Sequence, residues 1–272
     1  MCRPPICTPW TLASTQWRAT CAGKRGNRDR REFARTFERT GWDYDRYRPT
    51  FPGKAVDLLV PAPVGTIVDL GAGTGKLTGL LIDRADRVIA VDPSEAMLGV
   101  LREKLPTVRA LQGVAESIPL PDASADTVVV AQAFHWFDRD EACAQIARVL
   151  RRGGRLGLIW NRSDPACAWD YACGRIVPHL EQEPTAQPAT DELPGFILVE
   201  SAQLHWMENI AREDYLRRWH TVSSFLAADA RRHAKMTADI ESVLDRDPDT
   251  QGRDILSLSV LSDVFVYRRA VR

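Results

Sequence analysis

The sequence predicts an α/β fold: a mostly parallel sheet with helices on both faces. Three observations support this prediction. Five short apolar stretches between residues 66 and 160 alternate with segments of helical periodicity. These stretches are almost continuously apolar, as expected for strands that are buried on both faces. A glycine-rich turn at residues 71–75 follows the first stretch, and such a turn lets the backbone come very close to a ligand.

The strands and helices of this core follow one another in order. A helix is predicted after the first strand because Leu77, Leu80 and Leu81 recur at helical spacing. Ser94 is the predicted N-cap of the next helix, and Pro106 follows the end of that helix. The predicted strands cover residues 66–70, 88–91, 108–112, 126–131 and 156–160.

The helix before the fifth strand carries signals at both of its ends. Asp138 and Glu141 have the spacing of a capping box. Arg151 and Arg152 suit the negative end of the helix, and Gly153 is predicted to adopt the left-handed conformation that ends it.

Three further parts are predicted around this core. Residues 1–28 contain five basic side chains and no acidic one. They are predicted to be a disordered extension, with an organelle transit peptide or a misplaced start codon as alternatives. Residues 29–62 are predicted to be a helical cap or lid over the core at 63–162. Residues 163–272 are predicted to complete the sheet, with a helical insertion at about 209–250.

Within that C-terminal part the signals are weaker. The sequence predicts a helix and a proline-broken loop at 163–195, a strand at 204–207, helices at 212–220 and 229–245, and one or two strands at 255–267.

Composition restricts the partners and the location. The chain has 272 residues and a formal net charge of zero, so no overall field draws it to nucleic acid or to an anionic membrane. The six cysteines form no C-x-x-C pair, and the histidines have no metal-ligand spacing. We therefore expect no metal, no nucleic-acid or membrane partner, free thiols in the cytoplasm, and a monomer or homodimer.

The spacing of the glycines decides between ligand classes. The dinucleotide fingerprint G-x-G-x-x-G does not match, because Lys76 stands where its third glycine is needed. The phosphate-loop pattern does not match either, because Leu70 replaces its first glycine and Leu77 its final Ser or Thr. The pattern that remains is D-x-G-x-G-x-G over residues 69–75.

This pattern resembles the first motif of class I S-adenosylmethionine (SAM)-dependent methyltransferases. Further segments are similar to that family in the same order: the acid Asp92 after the second strand, the loop at 112–122, and the segment at 148–156. The triplet His-Trp-Phe at 135–137 resembles small-molecule methyltransferases of the methyltransferase 11 type. The resemblance covers residues 40–162 well and the C-terminal third only loosely.

The resemblance implies a Rossmann-like sheet of seven strands, mostly parallel with an antiparallel C-terminal strand, and a helical lid. It also implies SAM as the cofactor. Asp69 is then expected to pair with the α-ammonium group of SAM, and Asp92 to accept hydrogen bonds from both ribose hydroxyls. The cofactor-binding residues expected from the resemblance are Asp69, Gly71, Ala72, Gly73, Gly75, Asp92, Pro93, Met97, Ala115, Glu116, Gln132, Tyr47 and Arg48.

Alternatives remain open at several of these positions. Pro93 and Met97 are expected to line the adenine, although Met97 equally suits the core of its helix. Val114 replaces a frequent aspartate, so the amide of Ala115 or the carboxylate of Glu116 would contact the adenine instead.

The segment before the core offers a further pair of residues. Tyr47 or Arg48 could bind the methionine carboxylate of SAM from a lid. The alternative is that this segment is a solvated charged helix end.

The catalytic candidate is His135, just beyond the fourth strand. It could be the base for a hydroxyl or amine acceptor, or it could only order the turn. Trp136, Phe137 and Trp160 are predicted to be core rather than substrate wall. The predicted function is in-line methyl transfer to the oxygen, nitrogen or carboxylate of a small molecule. The alternatives are a nucleic-acid or protein methyltransferase and a non-catalytic SAM-binding protein.

Overall fold

The computed structural model describes residues 41–177 and 193–270. The predicted extension at 1–28, the start of the predicted cap and most of the predicted loop before residue 195 lie outside these ranges. No helix in the described ranges is long and apolar enough to cross a membrane.

Seven strands and nine α-helices make up the described part. The strands are β1 Val64–Leu70, β2 Ala85–Asp92, β3 Arg109–Gln112, β4 Ala125–Ala131, β5 Leu150–Ser163, β6 Phe196–Ala211 and β7 Ile255–Arg269. The helices are α1 Gly41–Tyr47, α2 Gly53–Leu59, α3 Thr78–Leu81, α4 Glu95–Lys104, α5 Arg139–Val149, α6 Ala168–Ile176, α7 Arg212–Trp219, α8 Ser223–Leu226 and α9 Ala230–Arg246. Single-turn 3₁₀ helices cover Ile82–Arg84 and Phe134–Trp136.

All seven strands form one sheet in the order β3-β2-β1-β4-β5-β7-β6. The pairs among β1 to β5 are parallel, whereas β7 is antiparallel to both β5 and β6. The prediction of a mostly parallel seven-strand sheet with an antiparallel C-terminal strand is confirmed. Because parallel strands end at the same edge, the residues after β1, β2 and β4 meet there.

The central strands are buried on both faces. Val68 and Val128 belong to one apolar cluster, and their neighbours Ile67 and Val129 belong to a second one. Successive residues of a strand point to opposite faces, so the two clusters cover the two sides of the sheet. This burial explains why the sequence of these strands is apolar at nearly every position.

A third apolar cluster lies beyond the end of β5. The last β5 pair is Ser163 with Val260, but β6 and β7 stay paired as far as Ala211 and Ile255. They therefore continue as a two-stranded ribbon. Its side chains pack with α6 to α9 in one buried cluster. We call this ribbon and these four helices the cap, and the predicted lid at residues 29–62 is not part of it.

The predicted end of the helix before β5 is wrong. Helix α5 ends at Val149, and Leu150 already pairs with Ala125 in the sheet. Gly153 does have a positive φ of 74°, but it lies within β5, where the register between β4 and β5 shifts. Arg151 forms an ion pair with Asp126 of β4 instead of facing the helix end, so strand pairing ends the helix early.

Candidate active site

The glycine turn is bent so tightly that it needs glycine. Gly71, Gly73 and Gly75 have φ values of +74°, +55° and +82°, which cost an ordinary residue about 1 kcal/mol or more each. A Cβ atom on Gly71 would lie 2.6 Å from the Cβ of Ala133, and one on Gly75 would lie 2.9 Å from Cγ of Leu101. The turn is thus pressed against the segment that follows β4 and against α4.

Asp92 holds this turn from the end of β2. Its Oδ2 accepts the backbone N–H of Gly73 and its Oδ1 accepts that of Ser94, both at 2.8 Å. Burial raises the pKa of Asp92, and the two backbone bonds oppose that shift. Each carboxylate oxygen has lone-pair capacity for one more donor, so the residue can still accept two hydroxyl groups.

Asp69 lies behind the turn and is completely buried. Its Oδ2 accepts the hydroxyl of Thr78 at 2.6 Å, while Oδ1 has no hydrogen-bond partner among the described residues. Desolvation raises the pKa of Asp69 to about 7, against the hydrogen bond from Thr78 and with a smaller contribution from the charge of Asp92. A buried carboxylate oxygen without a donor is costly, and an ammonium group would satisfy it.

The residues expected around the adenine lie next to the turn. Pro93 is exposed, and its carbonyl accepts the side-chain amide of Gln112 at 3.1 Å. Met97 is buried in α4, and a Cβ on Gly73 would lie 3.4 Å from its sulfur. Met97 therefore lies in the helix core and also beside the turn, and its contact with adenine stays a prediction. Ala72 is half-buried against the apolar cluster of α4 and β2.

The loop after β3 is tied to the start of α5. Ala115 is buried, and Oε1 of Glu116 accepts the backbone N–H of Asp138 at 2.7 Å. Asp138 does cap α5 by accepting the N–H of Glu141 at 3.2 Å. A capping box also requires the Glu141 side chain to accept the N–H of Asp138. This part of the prediction is wrong, because Glu116 accepts that N–H instead.

Gln132 directly follows β4 and has a strained backbone conformation. Its φ is +55°, which is uncommon for a residue other than glycine and often marks a functional site. Its side-chain amide donates to the carbonyl of Asn161 at 2.9 Å, and the side chain of Asn161 donates to the carbonyl of Thr50 at 2.7 Å. These bonds join the ends of β4 and β5 to the chain that follows α1.

His135 lies just after Gln132, on the 3₁₀ turn, and part of it is exposed. The indole N–H of Trp160 donates to Nδ1 of His135 at 3.3 Å. The protein around the ring limits its hydration and lowers the pKa of His135 to about 4, so the ring is neutral at pH 7 even though water reaches it. Trp160 is buried and packs edge-on against Phe265. The sequence predicted that Trp160 belongs to the core, and it does. Nothing in the sequence indicated its hydrogen bond to His135.

Tyr47 and Arg48 connect α1 to the cap. Tyr47 is buried, and its carbonyl accepts Nε of Arg218 at 2.7 Å. Arg48 donates to the carbonyl of Thr221 at 3.0 Å, and its guanidinium lies 5.2 Å from the ring centroid of Tyr44. The description of this segment as a solvated helix end does not hold for Tyr47.

Sequence reasoning also missed a group of charged residues between the turn and the cap. Lys104 donates to the carbonyl of Thr74 at 3.1 Å and forms an ion pair with Asp45. Arg218 and Glu208 form a second ion pair at 2.8 Å. The charged cluster consists of Asp45, Lys76, Lys104, Glu208 and Arg218.

Two histidines of the cap lie next to each other. The rings of His220 and His233 lie 4.7 Å apart, and His205 instead contacts Asp164 at 3.2 Å. In the ranges that the structure describes, no three His, Cys, Asp or Glu side chains are grouped as metal ligands.

Known proteins resemble this chain in both fold and sequence. The family model described as a methyltransferase domain, of the methyltransferase 11 type, matches residues 68–158. An uncharacterized methyltransferase of Mycobacterium tuberculosis is 46% identical over 177 residues, which are 65% of this chain and 72% of the relative. One from Schizosaccharomyces pombe is 33% identical over 240 residues, or 85% and 96% of the two chains.

A solved structure from Anaeromyxobacter dehalogenans, described as a candidate type II methyltransferase, has a TM-score of 0.61 and 27% identity. The match covers 82% of this chain and 97% of that one. The fold and these relatives thus define a methyltransferase. The chain belongs to the class I SAM-dependent methyltransferase family.

Proposed function

We propose that this protein binds SAM at the glycine turn and transfers its methyl group to a small molecule. The observation that carries the proposal is the position of the turn between two buried carboxylates. Asp92 holds the turn through Gly73, and Asp69 keeps one buried oxygen without a partner. A ligand with one ammonium group and two neighbouring hydroxyls matches these carboxylates, and SAM carries both.

The roles of the individual residues follow from this match. Oδ1 of Asp69 pairs with the α-ammonium group, because this oxygen has no other donor and gains a charge-assisted bond there. The two free lone pairs of Asp92 accept the ribose hydroxyls. The adenine lies against Pro93 and Met97, and the turn residues form the cradle for the methionine end. The proposed cradle consists of Gly71, Ala72, Gly73 and Gly75.

Other residues complete the proposed cofactor site. The Ala115 N–H donates to a ring nitrogen of the adenine, or the second oxygen of Glu116 accepts the adenine amine. Gln132, strained at the end of β4, faces the sulfonium end, and Tyr47 or Arg48 closes the site at the methionine carboxylate. When SAM is bound it supplies a methyl group that its sulfonium already activates. The protein then contributes alignment of the acceptor atom, methyl carbon and sulfur, which can supply much of the rate gain.

A small molecule is the proposed acceptor. Residues 131–134 read Ala-Gln-Ala-Phe, in place of the N/D-P-P-Y/F motif of target-amine nucleic-acid methyltransferases. The zero net charge gives no electrostatic footprint for a polyanion. The buried unpaired thiols of Cys143, Cys167 and Cys173 suit a reducing compartment, and we propose a cytoplasmic location.

Calorimetric titration tests the cofactor. SAM should bind the full-length protein, and excess NAD should leave that binding unchanged. Asp92→Ala should abolish SAM binding, whereas Asp57→Ala, at an exposed surface ion pair, should leave it intact. Circular dichroism should show that Asp92→Ala remains folded. Binding of NAD in place of SAM would refute the proposal.

A transfer assay tests the acceptor. The protein is incubated with tritiated-methyl SAM and, in separate reactions, with a metabolite extract, RNA, DNA and protein. Label should appear in small molecules. Label confined to one of the three polymers would contradict the small-molecule acceptor while supporting methyl transfer.

A further inference from the structure

Trp160 determines which nitrogen of His135 carries the proton. An indole N–H can only donate a hydrogen bond, so Nδ1 of His135, 3.3 Å away, must be unprotonated. A neutral imidazole then has its proton on Nε2. Nε2 has no hydrogen-bond partner in residues 41–177 or 193–270, and the residue is exposed. His135 thus presents an N–H donor outward at the end of β4.

This arrangement makes His135 a poor base. The lone pair that could take a proton is on Nδ1, and Trp160 already occupies it. The desolvation that lowers the pKa of the ring to about 4 acts in the same direction, because it disfavours the protonated form. A hydroxyl or amine acceptor must lose a proton during or after methyl transfer, and His135 does not provide for that loss.

Once the cofactor occupies Asp69 and Asp92, the charged cluster beside the turn favours a negatively charged acceptor. Lys76 directly follows the turn, is half-buried, and forms no ion pair with any described residue. Burial lowers the pKa of Lys76, and the charges of Asp45 and Glu208 oppose that shift. Both acids are already paired, with Lys104 and Arg218, so an anion would be a further partner for the Lys76 ammonium. The charged cluster therefore has one positive charge more than it has negative ones. Such an excess in a partly desolvated place attracts an anion.

We propose that the methyl acceptor is a carboxylate and that His135 binds it by donating Nε2–H to one of its oxygens. This inference rests on the proposed SAM-dependent activity. The other carboxylate oxygen attacks the methyl carbon. The new O–C bond forms as the C–S bond breaks, and the bonding electron pair stays on sulfur. The products are a methyl ester and neutral S-adenosylhomocysteine, and no proton is released, so no base is needed.

The stability of the product to alkali tests the acceptor atom. The wild-type protein is incubated with tritiated-methyl SAM and the acidic fraction of a metabolite extract, and parallel reactions contain neutral and basic fractions. Methyl esters release methanol in mild alkali, whereas methyl ethers and methylamines do not. Most of the label should become volatile methanol, and most of it should come from the acidic fraction.

The outcomes separate the two proposals. Label that survives alkali would overturn the carboxylate acceptor and leave the methyltransferase activity standing. No label in any fraction would overturn both.

Variants of His135 test its role as a donor. His135→Gln keeps an N–H donor, and its acceptor KM should stay within about threefold of the wild-type value. His135→Phe has none, and its KM should rise about tenfold or more, with unchanged affinity for SAM. At saturating SAM, kcat of the wild type should be flat from pH 6 to 8. A kcat that rises with pH, together with an inactive His135→Gln, would show a general base and refute the donor role.

Discussion

The backbone N–H of Gly73 lies 2.8 Å from Oδ2 of Asp92 and donates to it. The end of the second strand thus fixes the conformation of the glycine turn, which the glycines by themselves would leave free to vary. A turn that the protein itself orders costs less conformational entropy when a ligand binds. Asp92 therefore has two tasks, to shape the turn and to offer its remaining lone pairs.

Affinity for SAM should depend on pH through Asp69. Burial raises its pKa to about 7, and only the ionised carboxylate attracts the α-ammonium group. The dissociation constant of SAM should increase as the pH falls from 7.5 to 5.5, approaching tenfold per pH unit below the pKa. Asp69→Asn should bind more weakly at pH 7.5 and show a much flatter profile. Calorimetry at five pH values measures this, and an equally steep profile for the variant would contradict it.

The same residue should affect the stability of the ligand-free protein. The pKa of Asp69 is higher in the folded chain than the ordinary value of 3.8, so the folded state holds the proton more tightly. The protonated Asp69 therefore contributes to the free energy of unfolding. This contribution is complete below about pH 3.8 and is lost as the pH rises through about 7. Asp69→Asn should therefore melt at a higher temperature than the wild type at pH 8, and this difference should shrink towards pH 5. Thermal unfolding checks both points.

Gly71 and Gly153 form a matched pair for testing the turn. Both have a φ of +74°, but a Cβ on Gly71 would lie 2.6 Å from Ala133, and one on Gly153 would meet nothing within 4 Å. Gly153→Ala should cost about 1 kcal/mol of stability through backbone strain and leave SAM binding unchanged. Gly71→Ala should cost about 1–3 kcal/mol more and weaken SAM binding at least tenfold. Urea unfolding measures the stability and calorimetry the binding. Equal losses of stability in the two variants would argue against a steric clash between a Cβ at position 71 and Ala133.

Arg218 should contribute more to stability than its neighbour Arg217. Arg218 is mostly buried and bonds both Glu208 and the carbonyl of Tyr47. Arg218→Met leaves the half-buried carboxylate of Glu208 without its partner and should cost about 1–3 kcal/mol. Arg217 pairs with Glu213 on the exposed face of α7, so Arg217→Met should change little. Chemical denaturation compares them, and adding Glu208→Gln to Arg218→Met should restore part of the loss.

Trp160→Phe should free Nδ1 of His135. Without the indole donor, the proton can occupy either ring nitrogen and the pKa of His135 should move up towards its usual range. Nitrogen NMR of the imidazole should show protonated Nε2 in the wild type and a mixture of tautomers in Trp160→Phe. Trp206→Phe is the control, because it removes an indole bond to Ser262 instead. A wild-type ring protonated at Nδ1 would contradict the bond from Trp160.

The sequence was enough to predict most of the sheet. Strands such as β1 and β4 are buried on both faces, so their apolar runs are unmistakable, and the glycine spacing marks the turn between β1 and α3. The end of α5 was misplaced because Gly153 looks like a helix stop, although β5 begins three residues earlier. Helix signals are local, and the pairing of Leu150 with Ala125 is not.

The candidate site could likewise be predicted only in part from the sequence. Asp69, Asp92 and the glycines are close in sequence to the elements that place them. The bond from Trp160 to His135 spans 25 positions, and that from Arg218 to Tyr47 spans 171. Nothing in either segment by itself indicates its partner, because only the folded sheet brings them together.

The ribbon of β6 and β7 has a consequence for how a substrate enters. Both strands run without a break from the central sheet into the cap, and side chains of the same strands fill the apolar clusters of both. A hinge between them would have to break a continuous ladder of backbone hydrogen bonds. The cap should therefore stay in place through each turnover, so that a substrate enters a site whose cap-side wall is already formed.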